Sequence, residues 1–157
     1  MNGLDLPEPV ARLVAQLQPI RGQIAVTARH LVERTVRGPA GYIAPGPGGS
    51  VIGASMEPDR TDLQPDRERG SAMVRACLAQ IGVKESPAVT WRVGVRGATR
   101  DGLPMVGAAG PVGLHLALAP RRNGWLLGPL VARTVVDGLE GRAAEPFALA
   151  LDPRRLA

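Results

Sequence analysis

Aromatic side chains are almost missing from this chain: Tyr42, Trp91, Trp125 and Phe147 are the only four among 157 residues. A core must therefore be assembled from Ala, Val, Leu and Ile, which the 45% hydrophobic content supplies. Lysine is missing too, apart from Lys84, so the net charge of +5 rests on 18 arginines. Those arginines are scattered, with Arg121-Arg122 and Arg154-Arg155 as the adjacent pairs, and no basic run alternates with aromatics. That pattern argues against a nucleic-acid-binding surface. Cys77 is the single cysteine, which excludes an internal disulfide and fits a reducing compartment. His30 and His115 lie far apart and outside any metal-ligand spacing, so no metal site is expected. No apolar run approaches the roughly 20 residues of a membrane helix. The first residues are acidic and proline-bearing where a secretory leader would be basic and then apolar. The expectation is a cytoplasmic protein without a membrane partner, of a length for roughly one domain.

Periodicity divides the chain into recognisable elements. Val10, Leu13, Val14 and Leu17 fall at helical spacing, and residues 19 to 27 read as a strand. Tyr42-Ile43-Ala44 and Val51-Ile52-Gly53-Ala54 flank Pro45-Gly46-Pro47-Gly48-Gly49, a hairpin in which proline fixes φ and glycine permits positive φ. The polar run from Asp59 to Glu68 leads into a helix with Met73, Val74, Cys77, Leu78 and Ile81 on one face and Gly82 as its cap. A strand then alternates Val89, Trp91, Val93 and Val95 with Thr90, Arg92, Gly94 and Arg96, which places Arg96 at the end of its polar face. Residues 113 to 119 form a short apolar strand. Asn123 to Leu139 is a helix with Leu126, Leu127, Leu130, Val131, Val135 and Leu139 facing inward, where Pro129 is tolerable only near the first turn. Residues 147 to 155 form a tail.

Few of these features carry chemistry by themselves. Gly46-Pro47-Gly48-Gly49 fails as a dinucleotide fingerprint, because Val51 stands where the third glycine belongs and a strand follows instead of a helix. His115 and Cys77 read as structural residues among apolar neighbours. Arg96 sits between Gly94 and Gly97, with room for its planar fork to grip a carboxylate; residue type alone leaves an ordinary surface arginine equally open. Arg122-Asn123-Gly124 ends a strand-to-helix connection whose backbone N–H groups favour negative charge, and the glycine allows close approach by a planar ring.

Taken in order, Arg21-Gly22-Gln23, Gly41-Tyr42-Ile43-Ala44-Pro45, Val51 to Glu57, Gly94-Val95-Arg96 with Asp101-Gly102-Leu103-Pro104, and Arg122-Asn123-Gly124 resemble the C-terminal half of FAD-dependent oxidases of the D-amino-acid oxidase family, glycine oxidase above all. The resemblance covers roughly residues 19 to 155. Two departures accompany it: Trp91 and Arg96 are one residue further apart than in the family's W-x-G-x-R-P, with no proline following, and Ala119-Pro120 stands where Gly-His is common.

The resemblance implies an α+β / α/β fold: a mixed substrate-domain sheet with flanking helices, plus the C-terminal strand and helix of a flavin-binding domain. Residues 1–97 would be the substrate-domain portion and 98–157 the segment completing the FAD-binding domain, with the N-terminal Rossmann half absent. It implies a substrate carboxylate held by Arg96, with Arg122 and Tyr42 lining the same pocket. It implies FAD contacts from Arg121, Arg122, Asn123, Gly124, Trp125 and Leu126. No side chain acts as a catalytic acid or base. Hydride passes from the substrate α-carbon to flavin N5, and O2 reoxidises the cofactor. The implied partners are a small amino acid or amine, O2 and the missing FAD-binding half, without which the oxidoreductase is expected to be inactive. A non-catalytic partner-binding module derived from that fold is the alternative.

Overall fold

The computed structural model describes residues 5–156, which separate into two compact units: residues 20–95, and residues 96–156 joined by residues 5–19. The chain is an α+β protein of antiparallel hairpins and flanking helices.

In the unit of residues 20–95, strand β1 (Gln18–Thr27) is flanked by β4 (Gly49–Gly53) and by the short β5 (Glu57–Pro58). Strand β3 (Gly41–Gly46) pairs with β4 and with β2 (Val36–Gly38), and β6 (Thr90–Ala98) pairs with β1. The expected hairpin is β3–β4, in register Tyr42 to Gly53, Ile43 to Ile52 and Gly46 to Gly49. Helix α2 (Arg67–Ala79) covers one face of this sheet. Ala25, Ile43, Ile52, Val74, Cys77 and Leu78 meet there as a dry core, with Trp91 packed against it. Small residues set the spacing, since a methyl group on Gly70 of α2 would sit 2.6 Å from the Trp91 ring. Gly82 has φ of +72°, the left-handed conformation expected just past the helix.

Because β1 alternates with a period of two, Arg21, Gln23, Ala25 and Thr27 share its buried side. Arg21 is fully buried. Its Nη1 donates to Glu57 Oε2 at 2.6 Å and its Nε donates to the Asp62 carbonyl at 3.1 Å, while the remaining amino group donates to the Gln64 carbonyl. Ser55 donates its hydroxyl to the other Glu57 oxygen at 2.7 Å. Two residues along, the Gln23 amide donates to the Asp66 carbonyl at 2.8 Å and accepts from the Asp66 N–H at 3.0 Å. Asp66 in turn accepts from the Arg69 N–H at 3.0 Å and so caps α2. The polar 59–66 segment is thus held by two side chains of one strand face.

In the second unit, β7 (Met105–Ala108) and β8 (His115–Leu118) form an antiparallel hairpin closed by Gly110 and Gly113, both with positive φ. Helix α1 (Glu8–Val14) contributes Val10 to a core with Met105, Ala109, Leu116 and Leu156. This helix therefore belongs with the C-terminal residues. Strand β7 was not anticipated, because Met105 to Ala108 is short and glycine-bearing. The expected tail is folded: α4 (Pro146–Leu151) and the 3-10 turn Pro153–Leu156 bury Leu151, Pro153 and Leu156. Helix α3 (Gly124–Leu139) packs on the β7–β8 hairpin, with Gly138 against the His115 ring. It runs through Pro129 in its second turn, where one backbone hydrogen bond is forgone. Its orientation corrects two expectations: Leu126 and Leu139 are exposed, at 79% and 59%, whereas Asp137 is buried. A helix with apolar residues all round has no polar face to orient it, so packing decides.

Removing Arg21 leaves buried Glu57 with the exposed Arg60, at 2.9 Å, as its counter-charge. Arg21→Ala is expected to cost about 3 kcal/mol, the lower end for a broken buried pair. Arg21→Lys recovers little, because one ammonium cannot reach three separate acceptors. Urea unfolding midpoints check both.

Candidate functional site

Tyr42 lies half-buried on β3, opposite Gly53. A Cβ on Gly53 would stand 3.2 Å from the Tyr42 hydroxyl oxygen and 2.6 Å from Ile24, so glycine is what makes room for the ring. The Arg37 guanidinium carbon lies 5.7 Å from the ring centroid, a cation–π distance. Tyr42 therefore stands half-buried over Gly53, with its hydroxyl beside that glycine.

Arg96 is half-buried in the second unit and does not end its strand, since β6 continues through Gly97 to Ala98. Nor is it as exposed as Thr90 and Arg92. The alternation of burial lapses at Gly94, so Val95 is 39% exposed and Arg96 only half-buried. Burial at this end is set by neighbours such as Leu17, whose Cδ1 would lie 3.5 Å from a Cβ on Gly97, and the strand period alone does not report it.

The following turn is locked. Thr99 donates its hydroxyl to the Leu103 carbonyl at 2.6 Å, the Gly102 N–H donates to the Thr99 carbonyl at 3.1 Å, and the Leu103 N–H donates to Asp101 at 3.0 Å. Arg155 then binds it from the C-terminal turn: its Nε and Nη2 reach the two Asp101 oxygens at 2.8 and 3.2 Å, and Nη2 also donates to the Leu103 carbonyl at 2.9 Å. This fork holds the Asp101 carboxyl well below the usual carboxylate range. Sequence reasoning missed Arg155. The available signal was the spacing of Leu151 and Leu156 around it, which marks a folded segment.

The loop from Ala119 to Asn123 carries two non-glycine residues in the left-handed region, Ala119 at φ 57° and Arg121 at φ 54°. Such conformations cost of order 1–3 kcal/mol each and concentrate at functional sites. They swing the chain so that Arg122 and Asn123 are exposed at the start of α3. Asn123 supplies no side-chain cap, so the N–H groups of the first turn are left to an external acceptor. A Cβ on Gly124 would meet nothing closer than Pro120 at 3.7 Å, while Trp125 and Leu126 are 101% and 79% exposed. An open glycine, uncapped N–H groups and two exposed apolar side chains fit the edge and face of a planar, electron-accepting ring. Arg121 turns back toward the Asp101 turn, its Nη1 lying 3.8 Å from the Cβ position of Gly102. The loop and the Asp101 turn thus meet within one unit; Tyr42 belongs to the other.

Other chemistry-bearing residues contribute little. Burial pushes the Cys77 thiol up, away from the reactive thiolate. His115 lines a cleft of about 200 Å3 with Asp137, Arg142, Asp152 and Arg154, and those charged groups are already paired with one another. Among the described residues no metal-binding cluster occurs, and no helix is long and apolar enough to cross a membrane.

Residues 2–138 match the family model described as FAD dependent oxidoreductase, DAO, and the chain belongs to that family, whose cofactor is FAD. It is 31% identical over 153 residues to the tRNA 5-methylaminomethyl-2-thiouridine biosynthesis bifunctional protein MnmC of a Caulobacter species, covering 91% of this chain and 25% of that protein. It is 27% identical over 157 residues to the bifunctional protein ThiO/ThiG of a Synechocystis species, covering 96% of this chain and 23% of that protein. Among solved structures, glycine oxidase from Geobacillus kaustophilus superimposes with a TM-score of 0.71 at 27% identity, over 90% of this chain and 39% of that one. Glycine oxidase from Bacillus cereus shares the fold with a TM-score of 0.66 at 22% identity, over 83% and 38%. The chain thus spans about a quarter of the length of the curated relatives it matches.

The Arg155 clamp has a pH signature. Asp101 has a folded pKa below its unfolded value of about 3.9, so it stabilises the fold at all higher pH and loses that contribution as pH falls. Asp101 is 35% exposed and partly screened. Asp101→Asn should therefore cost about 1 kcal/mol near neutral pH. The difference from the parent should begin to narrow below about pH 4 and keep shrinking as pH falls further toward the folded pKa, in denaturation curves taken at neutral and at acid pH.

Proposed function

We propose that this chain is the substrate-gripping and flavin-facing portion of a glycine-oxidase-like enzyme that oxidises a small amino acid or amine. The observation that carries this reading is the loop before α3. It spends strain at Ala119 and Arg121 to present Arg122, an open Gly124 and exposed Trp125 and Leu126. The names of the similar proteins, two of them glycine oxidases, support the substrate class.

Residues 121–126 would hold FAD, which when bound accepts hydride from the substrate α-carbon and passes its electrons to O2. The protein's own work is binding and orientation. Arg96 grips the substrate carboxylate through its planar fork, and Arg122 adds positive charge at the helix N-terminus. Tyr42 would contribute a ring and a hydroxyl to substrate binding. No side chain need move a proton at the reacting carbon, so the rate depends on holding the α-carbon in line with the acceptor. Residues 20–95 serve as the substrate-domain portion, and the segment from about residue 98 completes the flavin side.

This 157-residue chain contains no G-x-G-x-x-G opening a helix, the feature that binds a dinucleotide pyrophosphate. Purified alone it should be colourless and inactive as an oxidase; stoichiometric yellow flavin after refolding with FAD would contradict this. In an enzyme that includes this segment, Arg96→Ala should lower kcat/KM on the best substrate by about ten- to a hundredfold, since a charge-assisted bond is worth roughly 1.5–3 kcal/mol. Arg96→Lys should restore little. Steady-state kinetics with glycine, sarcosine and small D-amino acids test this. An unchanged Arg96→Ala enzyme alongside an inactive Arg122→Ala enzyme would reverse the two roles.

A further inference from the structure

Every N–H donor of the Arg155 guanidinium has an acceptor within its own unit of the fold. Nε donates to Asp101 Oδ2 at 2.8 Å, and Nη2 donates to Asp101 Oδ1 at 3.2 Å and to the Leu103 carbonyl at 2.9 Å. Nη1 donates to the Leu151 and Asp152 carbonyls at the end of α4, at 2.7 and 3.1 Å. The side chain is only 16% exposed, so water competes little for these bonds. A fork filled in this way has no freedom left. It fixes the C-terminal turn and the turn at 101–103 to each other.

The turn at 101–103 is joined in two ways to the loop before α3. Arg121 reaches over Gly102, whose Cβ position lies 3.8 Å from Nη1. Along the chain, Leu103 leads through buried Pro104 into Met105, and Met105 pairs with Leu118 across the β7–β8 hairpin. Leu118 directly precedes Ala119, the first of the two loop residues at positive φ, and Arg121 is the second. Left-handed backbone at alanine and arginine persists only where the surroundings impose it. The turn and the start of the hairpin belong to those surroundings, and Arg155 holds both.

We propose that Arg155 is a positioning residue for the loop at 119–123. It acts through the turn at 101–103 and sets the backbone from which Arg122 and the start of α3 are presented. The last residues of the chain then help to place the flavin without lining its site. The purpose of the clamp rests on the reading of this loop as the flavin-facing one.

Hydrogen–deuterium exchange of the 157-residue chain, read by mass spectrometry, tests the clamp without flavin. In Arg155→Gln, peptides covering 99–106 and 118–124 should both exchange at least about tenfold faster than in the parent. Peptides covering 20–95 and the interior of α3 at 130–138 should keep the parent rate, which shows that both units are folded. Arg155→Lys should restore little, since one ammonium cannot serve five acceptors. If Arg155→Gln loosens its whole unit, Asp101→Asn makes a milder break and should loosen the same two segments. Faster exchange confined to 99–106, or in neither segment, overturns the proposal.

In an enzyme that includes this segment, Arg155→Gln should weaken FAD binding and shift the flavin absorption band. It should lower kcat by about ten- to a hundredfold with a much smaller change in KM, as expected of lost alignment. Loosened 118–124 with FAD affinity and absorption unchanged in both Arg155→Gln and Arg122→Ala upholds the clamp and overturns the flavin reading. Altered flavin binding in Arg122→Ala beside a parent-like Arg155→Gln overturns the clamp and leaves that reading standing.

Discussion

A guanidinium buried without water must find an acceptor for each of its donors, and that requirement organises the unit of residues 20–95. Arg21 is fully buried at the centre of the sheet, where a carboxylate and two backbone carbonyls satisfy it. Those acceptors come from β5 and from a polar stretch with little tendency to form regular structure. Folding the arginine inward therefore fixes that stretch. Gln23, one period along, holds Asp66, and Asp66 caps the helix that covers the core. The Arg-Gly-Gln strand that contributes to the family resemblance is thus a structural device. Gly53 on the neighbouring strand leaves the space in which the Tyr42 ring stands.

A second arginine has a comparable role in the other unit. Arg155 closes on Asp101 and on the Leu103 carbonyl, so the last folded turn of the chain fixes the turn that follows Arg96. The loop bearing Arg121 meets the same turn. The residues proposed for substrate and cofactor in this unit hang on short loops, and their placement depends on a salt bridge made some fifty residues away in sequence. In both units a charged side chain substitutes for the aromatic mass the sequence does not have. Arg and Asp order loops that Phe or Trp would otherwise anchor by burial.

The polar residues proposed for the site have binding and orientation as their proposed work. Left-handed backbone at Ala119 and Arg121 costs stability and returns an uncapped helix start with an open glycine. Val136 and Leu139 on the same helix are exposed as well.

How much of this the sequence determined follows from the range of each interaction. The β3–β4 hairpin was legible because Pro45-Gly46-Pro47-Gly48-Gly49 encodes its own turn, and α2 was legible because its apolar residues occupy one face. The order of the short motifs likewise carried the family. What tertiary structure alone decided was direction and partnership. Arg96 is half-buried because of its neighbours beyond Gly94. Leu126 and Leu139 face outward because a nearly all-apolar helix carries no period that says which side packs. The tail folds because Leu151 and Leu156 find a core. Arg155 finds Asp101 across a separation that no local pattern records, since an ion pair depends on where two side chains arrive in space and leaves no periodic trace along the chain.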